Sequence, residues 1–196
     1  SDSTAMVTVL SQEATAWQVE FRQAKTHPLR IAAQAVSSFT SALAIVTGEE
    51  PQAFVDNGTQ AVAVQSSDNP VLRSNSMWGD LEVPYELDGS LIVAGPIGPR
   101  LSLTAGAELR FPAGGQLIVG SASEGPGDLE VRGEEDRPVI LTSIADAPGS
   151  WRGILVTNEA GKVSIDRALI ENGGSGGPMV DWGRVGGDVT RVTFRS

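Results

Sequence analysis

The chain has 196 residues, with 14 basic and 24 acidic side chains, one histidine and a formal net charge of −10. With 40% hydrophobic and 19% charged residues it is too apolar and too lightly charged for a disordered chain. The acidic balance argues against broad nucleic-acid binding, which depends on phosphate neutralisation by Lys and Arg, and against adsorption to anionic membranes.

Residues 1–50 form a first, less regular region, expected as an irregular part or an amino-terminal coil or cap. The chain opens on Ser1, and no signal peptide is read in it. Segment 12–25 carries Ala14, Ala16, Trp17, Val19, Phe21 and Ala24, which fit helix or strand. In segment 31–46, Val36, Phe39, Leu43 and Val46 recur at helical spacing. Ser37, Ser38, Thr40 and Ser41 interrupt that face and suit turns or strand ends, so strands are the expectation in both segments. His27 precedes Pro28, a context that favours extended backbone, and is expected as a solvated loop side chain. As the single histidine it excludes a multi-histidine zinc site within one chain. A Ser-His-Asp triad would have to use it.

From residue 53 onward, short β-favouring runs are separated by turn residues. They are Ala61–Val64, Leu91–Val93, Leu101–Thr104, Leu109–Phe111, Leu117–Val119, Leu129–Val131, Val139–Thr142, Ile154–Thr157, Val163–Ile165, Ala168–Ile170 and Val189–Phe194. Each is too short for a helix, and 23 Gly and 11 Pro supply the breaks. Asn57–Gly58 and Asp88–Gly89 have the form of tight hairpin turns. A Gly-x-Leu-x-Val phrase begins at Gly89, Gly115 and Gly127, and Trp is closely followed by Gly at Trp78, Trp151 and Trp182. The irregular spacing of these copies suits a solenoid with variable loops.

Strands this short bury only one or two side chains each and need support from both neighbours. Stacked coils provide it, because each strand pairs above and below and its inward side chain joins a continuous interior column. In Leu129–Glu130–Val131–Arg132 the apolar residues point one way and the charges the other, and Leu101–Ser102–Leu103–Thr104 and Glu108–Leu109–Arg110–Phe111 alternate likewise. Coils of about 20–25 residues would make roughly eight, stacked ~4.8 Å apart. The rival fold, a β-sandwich, would favour strands of ~5–6 residues and regular hairpins.

The order of phrases between residues 81 and 172 is more specific. It runs Val83–Pro84–Tyr85, Gly89–Ser90–Leu91–Ile92–Val93, and Leu101–Ser102–Leu103–Thr104 through Ala105–Gly106–Ala107 to Glu108–Leu109–Arg110–Phe111. It continues with Gly115–Gln116–Leu117–Ile118–Val119, Arg137–Pro138–Val139–Ile140–Leu141–Thr142–Ser143, Trp151–Arg152–Gly153–Ile154, and Ala168–Leu169–Ile170–Glu171–Asn172–Gly173–Gly174. This series resembles the right-handed parallel β-helix repeat proteins of bacterial cell surfaces or secretions. Phe54–Val55–Asp56–Asn57–Gly58 and Val192–Thr193–Phe194 are similar to further coils of that family. Leu103 and Leu141 depart from its usual Ile and Phe, and residues 1–50 match less well. The resemblance implies an all-β, right-handed parallel β-helix over residues 51–196. It also implies an extracellular or cell-surface structural or binding module that meets a glycan or a surface protein. The chain stops at Arg195–Ser196 inside what reads as a coil, so a fragment, or an end capped in another way, is expected. An open coil end would offer edge-to-edge association.

The alternative the fold implies is a carbohydrate-active enzyme, a polysaccharide lyase or a glycoside hydrolase. Hydrolysis needs two carboxylates, roughly 5–5.5 Å apart for retention or ~6.5–9.5 Å for inversion. The candidates are Asp166, Glu171, Asp181 and Asp188. Asp166 and Asp188 stand 22 residues apart, about one coil, with Arg167 or Arg191 beside them. The plainer reading is a solvated acidic face. An enzyme predicts these carboxylates in one groove with at least one raised pKa. A binding module predicts scattered carboxylates and a solvent-facing aromatic or polar strip.

No cofactor or metal site is expected. Glu134–Glu135–Asp136 and Gly186–Gly187–Asp188 are acidic and loop-like but lack a calcium-loop pattern. Gly173–Gly174–Ser175–Gly176–Gly177 reads as a mobile turn and lacks the Lys-Ser/Thr of a phosphate loop. Without cysteine there is no disulfide, thiolate site or cysteine nucleophile. No run of about 18 apolar residues predicts a membrane-spanning helix. Among Trp17, Trp78, Trp151 and Trp182, Trp151 is expected to pack at a coil corner rather than to meet a sugar ring. Thr190 and Thr193 do not form the Thr-x-Thr ladder of an ice-binding face.

Overall fold

Runs of three to five residues find their hydrogen-bond partners one turn of chain away. The computed structural model describes residues 6–13, 16–38, 54–68 and 70–196. At the amino-terminal side, β1 (Met6–Glu13) and β2 (Ala16–Arg22) pair antiparallel. β3 (Leu29–Ala32) follows, then a 3₁₀ turn at Ala33–Ala35, then β4 (Phe54–Val55), which pairs parallel with β2. Strands are therefore present at both ambiguous segments, but the second gives way to helical turns after Ala32, where Ala33 and Val36 bury fully in the core. Phe39, Leu43 and Val46 lie outside the described residues.

From Val62 onward three strands recur per turn of chain. They are β5 (Val62–Gln65), β6 (Val71–Leu72) and β7 (Ser76–Trp78), then β8 (Tyr85–Leu87), β9 (Leu91–Val93) and β10 (Arg100–Thr104). Next come β11 (Glu108–Phe111), β12 (Gln116–Val119) and β13 (Asp128–Arg132), then β14 (Val139–Ser143), β15 (Gly153–Val156) and β16 (Val163–Asp166). β17 (Ala168–Glu171), β18 (Val180–Trp182) and β19 (Gly187–Thr190) make the last complete turn, and β20 (Thr193–Arg195) begins another. Strands of like position stack in parallel into three sheets, β3–β5–β8–β11–β14–β17–β20, β6–β9–β12–β15–β18 and β7–β10–β13–β16–β19. The fold is a parallel β-helix.

Its coils are longer and fewer than the sequence suggests. Register partners fall 23 residues apart from Val62 to Tyr85, 24 from Tyr85 to Leu109, 32 from Leu109 to Leu141, 29 from Leu141 to Ile170 and 24 from Ile170 to Phe194. Five complete coils result among the described residues, not eight. The excess length sits in corners, such as the small loop closed by the Ser121–Gly125 bridge.

The core is a set of columns running through these sheets. Leu91, Leu117 and Ile154 stack in one; Trp78, Leu103, Val131 and Ile165 in another; Tyr85, Leu109, Leu141 and Ile170 in a third, all fully buried. Each such side chain contributes about 1.5–3 kcal/mol through burial, and the column makes that burial continuous from coil to coil. Aromatic pairs fill the corners. Phe111 stacks on Trp151 with ring centroids 4.6 Å apart, and Trp78 lies 5.3 Å from Tyr85.

Two expected hairpin turns are corners between different sheets. Asn57 is buried; its Oδ1 accepts from the Ala24 N–H at 3.0 Å and its Nδ2 donates to the Phe21 carbonyl at 3.0 Å, tying β2 to the chain after β4. The Asp88 carboxylate accepts from the Ser66 and Ser67 N–H groups at 2.7 and 2.8 Å, so it joins one coil to the next. Neither Asx-Gly pair connects antiparallel neighbours, because the local turn signal serves a parallel crossover here. His27 is likewise not a free loop side chain. It is half-buried, with Nε2 2.8 Å from Glu86 Oε2 on β8.

Candidate functional site

Two consecutive coils turn from the β16 and β19 sheet into the β17 and β20 sheet at arginines. β16 ends at Asp166, Arg167 makes the corner alone, and β17 starts at Ala168. One coil later β19 ends at Thr190 and Arg191 begins the equivalent corner, since Asp166 and Thr190 are register partners. Both arginines have a φ of 51°, in the left-handed region that L side chains seldom occupy.

This geometry folds both guanidinium groups around one carboxylate. Arg191 donates through Nε to Asp166 Oδ1 at 2.8 Å and through Nη2 to Oδ2. Thr190 Oγ1 donates to Oδ1 at 2.8 Å, and Arg167 Nη1 to Oδ2 at 3.0 Å. The Arg191 guanidinium, helped by the Thr190 hydroxyl and by Arg167, holds the Asp166 carboxyl down at about 2. At the far end of β17, Glu171 faces Arg195 of the following coil at 3.7 Å. The three arginines line an open groove of about 630 Å³ with Ala168, Leu169, Thr193, Pro138, Glu134 and Glu135. Ala168 and Leu169 give it an apolar stretch, and the loop after β13 brings both glutamates to it.

The four candidate carboxylates fall on three faces. Asp166 and Asp188 project from the β7–β10–β13–β16–β19 sheet, Glu171 from the seven-stranded sheet and Asp181 from the β6–β9–β12–β15–β18 sheet. Asp188 is the register partner of Ser164, so it lies two residues away from Asp166 along the ladder. Asp166 stays ionised far below neutral pH, the opposite of a raised carboxyl. Asp166 and Glu171 hold arginines, and none of the four carboxylates lines the groove. A sequence reading built on the acids gives Arg167 and Arg191 only as neighbours of Asp166 and Asp188 and does not reach Arg195. The available signal was a shared step of 24 residues, from Arg167 to Arg191 and from Glu171 to Arg195.

Two smaller features lie elsewhere on the outer surface. In-register Ser102, Glu130, Ser164 and Asp188 give the β10–β13–β16–β19 face a polar strip, whose Ser102 and Glu130 line an open groove of about 540 Å³ with Met77 and Arg100. The β9–β12–β15 face carries Ile92, Ile118 and Leu155 in register, all half-buried. Trp151 is fully buried at its corner and donates through Nε1 to the Glu171 carbonyl at 2.8 Å. Among the described residues no group of three or more His, Asp or Glu side chains is placed to hold a metal ion, and no helix is long and apolar enough to cross a membrane. Comparison with family models, curated proteins and solved structures finds no match.

Proposed function

We propose that the chain is a binding module of the kind borne on bacterial surfaces or secreted, which presents a rigid β-helix face to a glycan. The observation that carries this reading is the open groove over β17 and β20, where three arginines are paired with Asp166 and Glu171. The Asp166 carboxylate holds Arg167 and Arg191 in place, so recognition through these two costs little ordering of the protein. Asp166 supplies no proton near neutral pH, and its partners leave its two oxygens occupied. The groove therefore favours binding over hydrolysis. The surface-protein context rests on the order of phrases from Val83 to Gly174.

A glycan array probed with the purified chain, with and without calcium, tests the reading, followed by a reducing-end assay on every positive glycan. Binding without new reducing ends is the expected result. Cleavage would overturn the reading in favour of an enzyme, and silence on the array would overturn glycan binding altogether.

A further inference from the structure

We infer that the groove selects a glycan whose carboxylate-bearing sugars are separated by neutral ones, with Arg195 and the outer edges of Arg167 and Arg191 receiving the carboxylate. This inference rests on the binding-module reading. Asp166 engages Arg167 only through Nη1 and Arg191 through Nε and Nη2, and Arg195 meets Glu171 only at the loose distance of 3.7 Å. The three side chains remain 36%, 59% and 67% exposed, in the order Arg167, Arg191, Arg195. Planar guanidinium groups with unused N–H donors match a carboxylate in a two-pronged arrangement.

Arg167 and Arg191 both keep left-handed backbone at φ 51°, a conformation for which glycine is the easier choice. The same left-handed backbone occurs outside the groove at Gln23, Asp56, Glu82, Asp146 and Asn172, so in this fold it belongs to the turning of the chain. The rest of the groove sets the remaining specificity. Leu169 offers an apolar patch to the C–H face of a sugar ring, the Thr193 hydroxyl can donate or accept, and Glu134 and Glu135 accept from sugar hydroxyls. The same two glutamates repel a chain with an anion on every sugar, and the net charge of −10 provides no long-range attraction for one. Isolated carboxylates between neutral units satisfy both signs.

Titration calorimetry on the full chain uses four probes: hyaluronan oligosaccharides, which alternate uronate and neutral sugars, the same oligosaccharides with their carboxyls reduced to alcohols, heparin oligosaccharides, and an oligoglutamate peptide. Hyaluronan oligosaccharides are expected to bind, with a loss of about tenfold or more on carboxyl reduction. Arg195→Gln, at an exposed side chain with a loose partner, is expected to weaken binding about fivefold or more while leaving the circular dichroism spectrum and thermal midpoint unchanged. Equal affinity for the reduced oligosaccharide, tighter binding of heparin or of the peptide, or full affinity in Arg195→Gln would each overturn the inference. Binding of neutral glycans alone on the array would also sink it while leaving the glycan-binding reading intact. No glycan binding of any kind would remove both.

Discussion

Asp166 accepts four hydrogen bonds from three side chains, and that occupancy decides its role. Its folded pKa of about 2 lies below the ordinary aspartate value of roughly 3.9. A depressed carboxyl contributes stability that is fully present above the unfolded value and fades as pH falls through the folded one. The stability difference between the native chain and Asp166→Asn should therefore be constant above about pH 5, with the native chain more stable, and shrink towards zero between roughly pH 4 and 2. Urea midpoints of both proteins across that range measure it; a difference that does not change with pH would show that Asp166 is not held by its arginines. The acidic residue type and its outward placement were legible from alternation along Val163–Asp166. Its true neighbour was not. The 22-residue step pointed to Asp188, whereas the 24-residue register brings Thr190 and Arg191 to it. A two-residue error keeps a side chain on the same face but changes which group it touches.

At the scale of strands and corners, what can be read from sequence is the alternation, and what cannot is the close approach of backbones. Val131 and Leu129 face inward, and Glu130 outward, as their pattern requires. The glycine beside them, Gly127, shows no such reason in the sequence. A Cβ there would run into the Val93 carbonyl oxygen, so the corner before β13 passes directly against the coil that holds β9. Gly127→Ala should destabilise by about 1–3 kcal/mol or more through that clash. Gly177→Ala, with no atom within 4 Å of the added methyl and no left-handed φ, should stay within about 0.5 kcal/mol of the native chain. Chemical denaturation of the pair separates a packing requirement from a general preference for glycine in turns. Trp151 is the converse case, a corner residue whose burial the Trp-x-Gly-Ile phrase foretold. It loses both the Phe111 stack and the bond to the Glu171 carbonyl when truncated, and Trp151→Ala should cost about 3–5 kcal/mol. The same denaturation curves test it; a loss under about 1 kcal/mol would mean that the corner collapses around the gap.

Across the whole molecule, the solenoid follows from strands too short to stand alone, but the number of coils does not. Coil length depends on corner insertions, and corners face solvent, where hydrophobic alternation carries no information. The described residues give five complete coils of 23 to 32 residues, while the interior columns stay in register through all of them. Such a stack is nearly one-dimensional: each coil touches the one before and the one after, and stability is a sum of coil terms and nearest-neighbour terms. Leu117 and Ile154 are register partners in adjacent coils, both fully buried, whereas Val64 and Ile165 lie three coils apart. The double variant Leu117→Ala, Ile154→Ala should depart from additivity by about 0.5–3 kcal/mol, because the two truncations share one enlarged cavity. The double variant Val64→Ala, Ile165→Ala should be additive to within about 0.5 kcal/mol. Urea unfolding of the singles and doubles gives both cycles. Equal coupling in the two would mean that strain passes along the whole axis, and the arginine groove at one end would then be open to influence from the other.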